Sequence, residues 1–160
     1  MTLAYVGIGS NLDGPREQVK QAFEALARLP QTRLARRSSL YRSAPLGYAD
    51  QPEFINAVAE LESSLSPEEL LGNLQQIEKR HGRQRSFANA PRTLDLDLLL
   101  FGGEIRQSAG LTLPHPRMHQ RAFVLKPLLE IAPQACIPGI GLASTSLEKI
   151  SIQAAERIVG

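Results

Sequence analysis

Between residues 93 and 101 the chain reads TLDLDLLLF. A run this apolar has to be buried, and its opening alternation of Leu94, Asp95, Leu96, Asp97 and Leu98 has the period of two that belongs to a strand. A central strand is expected, with leucines on one face and two carboxylates side by side on the other. The rest of the chain has to supply a sheet for this strand and something cationic for its acids.

Upstream, residues 3–9 are apolar and partly β-branched, which predicts a strand, and the glycines of GIGSNL at 7–12 are read as a tight turn after it. From Pro15 the apolar positions Val19, Ala22, Phe23, Leu26 and Leu29 recur at helical spacing until Pro30. Residues 33–43 and 53–62 read as two further strands joined by a long loop at about 43–52. Ser66, Pro67 and Glu69 form a capping-box signature for a second helix with an apolar stripe of Leu70, Leu71, Leu74 and Ile77, closed by Gly82. The order is βαββαβ, which predicts an α+β fold of the ferredoxin-like kind: an antiparallel sheet with two helices on one face. The last sixty residues hold the Pro-rich PHPRMHQRAF at 114–123, a short helical stretch near 124–132, and a last helix for which Thr145 and Glu148 suggest another capping box. Added C-terminal strands and helices are expected to cover the second face. With 160 residues and no repeat or linker, a single domain spanning 1–160 is expected, large enough to bury roughly 70% of its unfolded surface.

Composition excludes several classes. Cys136 is the only cysteine, so an internal disulfide framework and a cysteine metal cluster are both ruled out. Eighteen Lys and Arg against sixteen Asp and Glu argue against a general nucleic-acid coat and leave room only for a local anion site. The residues that open the chain, MTLAYV, lack a basic leader, and no apolar run approaches the ~20 residues of a membrane helix. A cytoplasmic protein with no membrane partner is expected.

Two carboxylates two apart on a rigid strand repel unless a cation lies between them, and a hard ion such as Mg²⁺ is the usual answer; a solvated strand face or salt bridges are the plain alternative. The preceding loop carries Arg83, Arg85 and Arg92 within ten residues. Arginines beside a metal-binding carboxylate pair are what a polyphosphate requires. Glu78, on the apolar edge of the second helix, needs a partner, for which a loop arginine is the candidate. His115 and His119 have a spacing that could hold zinc, but Pro116 interrupts a helix there, so phosphate contacts from His115 and Arg121 fit better.

GIGSNL at 7–12, YRSAPLG at 41–47, DQPEFINAV at 50–58, PRTLDLDLLLFG at 91–102 and LPHPRMHQRAFVL at 113–125, with the arginine loop, resemble the 6-hydroxymethyl-7,8-dihydropterin pyrophosphokinase family of folate synthesis. The resemblance implies transfer of the β and γ phosphates of ATP, as a unit, to the hydroxymethyl group of the pterin, leaving AMP. It implies that Asp95 and Asp97 match the ligands of two magnesium ions, and that Arg83, Arg85 and Arg92 match arginines of the family's mobile catalytic loop. His115 and Arg121 match further triphosphate contacts. Asn56 matches the side chain that hydrogen-bonds the pterin, Phe54 and Phe123 the pair of rings that sandwich it, and Ser43, Ala44 and Leu46 the positions whose backbone lines its pocket. Three positions depart from the pattern: Ala88 where a basic residue is common, Phe54 where some members have tyrosine, and Pro116 where some have tyrosine.

The implied partners are ATP and the pterin alone, and a monomer is expected. Another Mg-dependent nucleotidyl or phosphoryl transferase is the near rival. An RNA-binding module on a similar sheet is the distant one, disfavoured by 5% aromatic residues and by acids where RNA would lie.

Overall fold

A computed structural model of the chain describes residues 1–12, 14–43, 53–81, 94–150, 153 and 155–158. Its strands are β1 (Thr2–Ser10), β2 (Thr32–Arg37), β3 (Tyr41–Ser43), β4 (Phe54–Ser63), β5 (Asp95–Phe101), β6 (Arg106–Ser108), β7 (Leu111–Leu113), β8 (Cys136–Ile137), β9 (Gly141–Leu142) and β10 (Ala155–Arg157). Its helices are α1 (Pro15–Ala27), α2 (Pro67–Arg80), α3 (Ala122–Ile131) and α4 (Ala143–Glu148), with a 3-10 turn at Met118–Gln120. The main sheet is antiparallel, with spatial order β10, β3, β4, β1, β5, and β2 also pairs with β4. This is a mixed fold of antiparallel strands and packed helices, as the sequence pattern anticipates.

Strand alternation separates two faces. Ala4, Val6 and Ile8 of β1 and Leu96 and Leu98 of β5 point to the face covered by α1 and α2, where they meet Val19, Ala22, Phe23, Leu26, Leu70, Leu74 and Ile77. Each fully buried leucine of that set contributes about 1.5–3 kcal/mol. Helix α2 starts as expected: Ser66 Oγ accepts the Glu69 amide at 3.1 Å, and Glu69 accepts the Ser66 amide at 2.9 Å. On the opposite face a second cluster joins Val58, Leu99 and Leu100 to Met118, Val124, Leu125, Leu128 and Ile131 from the 3-10 turn and α3, with Ile137 and Ala143 beyond. Glu130 at the end of α3 fixes it to the sheet edge, accepting from the Ser39 amide and hydroxyl and from the Tyr41 hydroxyl at 2.7 Å.

Strand β5 carries a bulge. Val6 faces Leu98 and Tyr5 faces Leu100, so Leu99 is the extra residue. It turns toward the α3 side, over Gly7, whose absent side chain leaves the room: a Cβ there would lie 3.4 Å from Leu99 Cδ2.

The structure corrects three expectations. Residues 33–43 do not form one strand; the edge breaks at 38–40, where the Ser38 hydroxyl stands in for a ladder carbonyl. The Ser38 amide donates to the Val58 carbonyl and the Val58 amide donates back to Ser38 Oγ, both at 2.9 Å. The glycines at 7 and 9 are not a turn but lie within β1. The last helix begins at Ala143, ahead of Thr145, and takes no side-chain cap. The Ser38 exchange is testable. Val58 is fully buried, so Ser38→Ala leaves its amide without an acceptor, and a loss of about 1–3 kcal/mol is expected in urea unfolding. An unchanged midpoint would show that the hydroxyl is dispensable.

Candidate active site

Beginning at Tyr41, which α3 touches through Glu130, the sheet register assembles a row of residues from four strands. Gly9 of β1 faces Asn56 of β4 on one side and Asp95 of β5 on the other, and Tyr41 of β3 faces Asn56 from beyond. One step along β5, Asp97 faces Gly7. Phe54 faces Ser43 at the next pair in the other direction. All these side-chain positions lie on the face opposite α1 and α2, since their neighbours Ile8, Ile55, Ala57 and Leu96 fill the core on that side.

Gly9 is a constraint of this row. A Cβ there would lie 3.3 Å from Asn56 Oδ1 and 4.0 Å from the Phe54 ring, so the amide and the ring overhang bare main chain. Asn56 is 4% exposed and donates from Nδ2 to Ser43 Oγ at 2.7 Å; Ser43 is buried as well. That bond fixes the amide orientation. Asp95 and Asp97 are half-buried on one face, with Leu96 in the core between them. The Leu96 amide donates to Glu78 Oε2 at 2.8 Å, so α2 is tied to the edge strand at the residue between the two acids. The partner described for Glu78 is thus main chain; the loop arginine expected for it lies outside the described residues.

The 114–123 segment enters beside β5. The His115 amide donates to the Leu99 carbonyl at 2.9 Å, and its Nδ1 accepts the Arg117 amide at 3.2 Å, which leaves the ring proton on Nε2. Burial pushes the His115 pKa down to about 4, the positive charges of Arg121 and Arg117 add to the shift, and the Asp95 carboxylate opposes it. His115 is therefore a neutral donor, within the field of both Arg121 and Asp95. The Arg121 guanidinium sits over the Phe123 ring, 5.6 Å from its centre. Phe123 packs against the second cluster at the start of α3.

The structure thus brings Ser43, Phe54 and Asn56 together on β3 and β4, sets Asp95 and Asp97 on the other side of the β1 glycines, and puts His115, Arg121 and Phe123 on the segment leading into α3. Ala44, Leu46, Arg83, Arg85, Ala88 and Arg92 lie outside the described residues. Sequence reasoning missed Gly9, because a glycine inside a strand reads as punctuation. It also missed Gln153, whose side chain accepts the Ala122 amide and donates to the Gln120 carbonyl, both at 3.0 Å, clamping the turn that presents Arg121. No local signal marks that glutamine.

The depressed pKa of His115 has a measurable consequence. A histidine held neutral when folded but titrating near 6.5 when unfolded contributes stability that is complete above 6.5 and lost as pH falls toward 4. His81 is lowered in the same sense by burial and by Arg80, so both act together. Between pH 7 and 4.5 the unfolding free energy of His115→Gln should fall by roughly 1–2 kcal/mol less than that of the parent, after allowance for solvent screening. Parallel curves would contradict the assignment.

Comparison with known proteins follows the same line. Residues 5–133 match the family described as 7,8-dihydro-6-hydroxymethylpterin-pyrophosphokinase. A 2-amino-4-hydroxy-6-hydroxymethyldihydropteridine pyrophosphokinase of Haemophilus influenzae is 50% identical over 138 residues, spanning 86% of this chain and 86% of its own. One of the same description from Pseudomonas aeruginosa is 52% identical over 134 residues, 84% of this chain and 83% of its own. Among solved structures, the Plasmodium falciparum HPPK-DHPS crystal structure with SDX-DHP superposes with a TM-score of 0.73 at 12% identity, which speaks for the fold alone. All of this chain is covered there, but only 48% of that longer chain.

Proposed function

Because the chain belongs to the 7,8-dihydro-6-hydroxymethylpterin-pyrophosphokinase family, we propose that the sheet end described above is where its two substrates meet. The activity is pyrophosphoryl transfer from ATP to the hydroxymethyl group of 6-hydroxymethyl-7,8-dihydropterin, a step in folate synthesis. Transfer of the β and γ phosphates as a unit joins the hydroxymethyl oxygen to the β phosphorus, breaks that phosphorus from the α,β-bridging oxygen, which leaves with AMP, and releases the hydroxyl proton to solvent. One observation carries the assignment of roles: the β4–β1–β5 row puts a fixed amide and a carboxylate on either side of a bare glycine.

On the β3 and β4 side, Asn56 would pair with the donors and acceptors of the pterin ring, oriented by Ser43. Phe54 and Phe123 would supply the stacking faces, with Ala44 and Leu46 lining the pocket by their backbone. On the β5 side, the donor set fits magnesium: two half-buried carboxylates on one strand face, with phosphate oxygens and water to complete an oxygen shell. Asp95 and Asp97 would hold two such ions, which when bound supply positive charge against the triphosphate. Arg83, Arg85, Arg92 and Arg121 would neutralise the phosphates with forked guanidinium contacts, and Arg83 and Arg92 would act on the transferring group. His115 would donate from Nε2 to a phosphate oxygen without adding charge.

We also assign the finer topology to the ferredoxin-like class, on the order β2, β4, β1, β5 with α1 and α2 on one face. The 160 residues are proposed to act as one catalytic domain, as a monomer in the cytoplasm, on small molecules and not on nucleic acid. Among the described residues no helix is long and apolar enough to cross a membrane.

A product assay tests the reading. With ATP, Mg²⁺ and hydroxymethyldihydropterin, chromatography should show AMP and pterin pyrophosphate in equal amounts. Formation of ADP, or release of free pyrophosphate, would assign a different transfer.

A further inference from the structure

On the other side of the sheet, α1 and the broken edge of β2 and β3 enclose a groove of about 740 Å³. It shares no residue with the set proposed for ATP, pterin or metal. Arg16 and Lys20 enter it from one side of α1, four residues apart, and Arg37 comes from the end of β2; Arg157 of β10 also borders it, but it faces Tyr41 in the ladder and its charge acts on Glu130 on the α3 side. Against Arg16, Lys20 and Arg37 the lining offers one carboxylate, Glu24. Among the described residues none of these four makes an ion pair within 4 Å, although pairing is common elsewhere on the surface: Arg33 with Glu62 at 2.7 Å, Arg36 with Glu60 at 3.9 Å, and Arg106 with Glu68 and Glu104. Arg37, exposed at the groove, has its guanidinium 5.5 Å from the centre of the Phe23 ring, which also lines it. Like charges converging in a concavity repel one another unless an anion lies between them.

We propose that this groove binds a small organic polyphosphate. Guanidinium forks suit phosphate oxygens, and cations from two separate elements, α1 and β2, suit more than one phosphoryl group. The volume lies in the range of small-ligand sites, and Phe23, Leu40 and Ile158 supply an apolar floor for the organic part. The site is a second anion site on the molecule, on the α1 side of the sheet.

The test is an NMR titration of the full chain with inorganic tripolyphosphate, read residue by residue. The amides of Lys20, Phe23, Leu40 and Ile158 should shift saturably, with their own dissociation constant, separately from any response at Asp95, Asp97 and Arg121. Lys20→Ala/Arg37→Ala should weaken the groove response at least tenfold and leave the response at Asp95 and Asp97 unchanged. Arg16→Ala/Lys20→Ala, which spares the Arg37–Phe23 stack, should weaken it to a similar degree if the first pair disturbs folding. Arg28→Ala, at the far end of α1 and outside the lining, should have no effect. Shifts confined to Asp95, Asp97 and Arg121 would overturn the proposal, as would groove shifts that survive both double substitutions or that sodium sulfate reproduces at equal ionic strength.

Discussion

Asp97→Ala is expected to lower kcat about a thousandfold or more while leaving the pterin dissociation constant near its parent value. Asp97 stands on a strand fixed to β1 on one side and tied through the Leu96 amide to Glu78 on the other, so its loss leaves the frame standing. What would disappear is one of the two carboxylates proposed to anchor positive charge against the triphosphate. Stabilisation of that kind is worth several kcal/mol in a transition state, and ~4 kcal/mol is about three decades in rate. The residues proposed to contact the ring lie on β3, β4 and the start of α3, not on β5, which predicts the split between rate and pterin affinity. Steady-state kinetics at ordinary Mg²⁺ together with pterin calorimetry would show it. Normal turnover in the variant refutes the assignment.

The second large effect is expected at Asn56. Its amide is buried and oriented by Ser43, so Asn56→Ala should strand polar groups of the ring and weaken pterin binding by about 1–3 kcal/mol, roughly 5- to 150-fold. Affinity for a non-hydrolysable ATP analogue should not move. Phe123→Ala offers a less clean contrast, because Phe123 also carries the Arg121 guanidinium on its face. Truncating it should weaken the pterin and, to a smaller degree, the nucleotide. Equal losses for both ligands in Asn56→Ala would mean that the amide supports the sheet and not the pocket.

What the chain discloses by itself depends on how local the cause is. The start of α2 is legible because Ser66, Pro67 and Glu69 contain the whole capping arrangement within four residues. The core of β5 is legible because apolar alternation has no other soluble use. The split between β2 and β3 is not, since a serine hydroxyl that replaces a ladder carbonyl looks like any strand serine until Val58 is known to face it. Gly9 is similar: its meaning resides in Asn56, nearly fifty residues away, and only the register joins them. For Glu78 the sequence correctly indicates a need for a partner, but no local pattern marks the Leu96 amide that donates to it. The residue types proposed for the site stand in the sequence, whereas their mutual placement is a property of strand register.

The extra residue at Leu99 divides β5 into two segments whose alignment against β1 is set independently. Toward the carboxylates, Leu96 and Leu98 lock against Ile8 and Val6; beyond the bulge, Leu100 and Phe101 lock against Tyr5 and Ala4. Slippage or repacking under α3 would be absorbed at that joint before it reached Asp95 and Asp97. The acids are in this way insulated from strain in the second cluster, and sequence drift beneath α3 can proceed without retuning the spacing between the acids and Gly9.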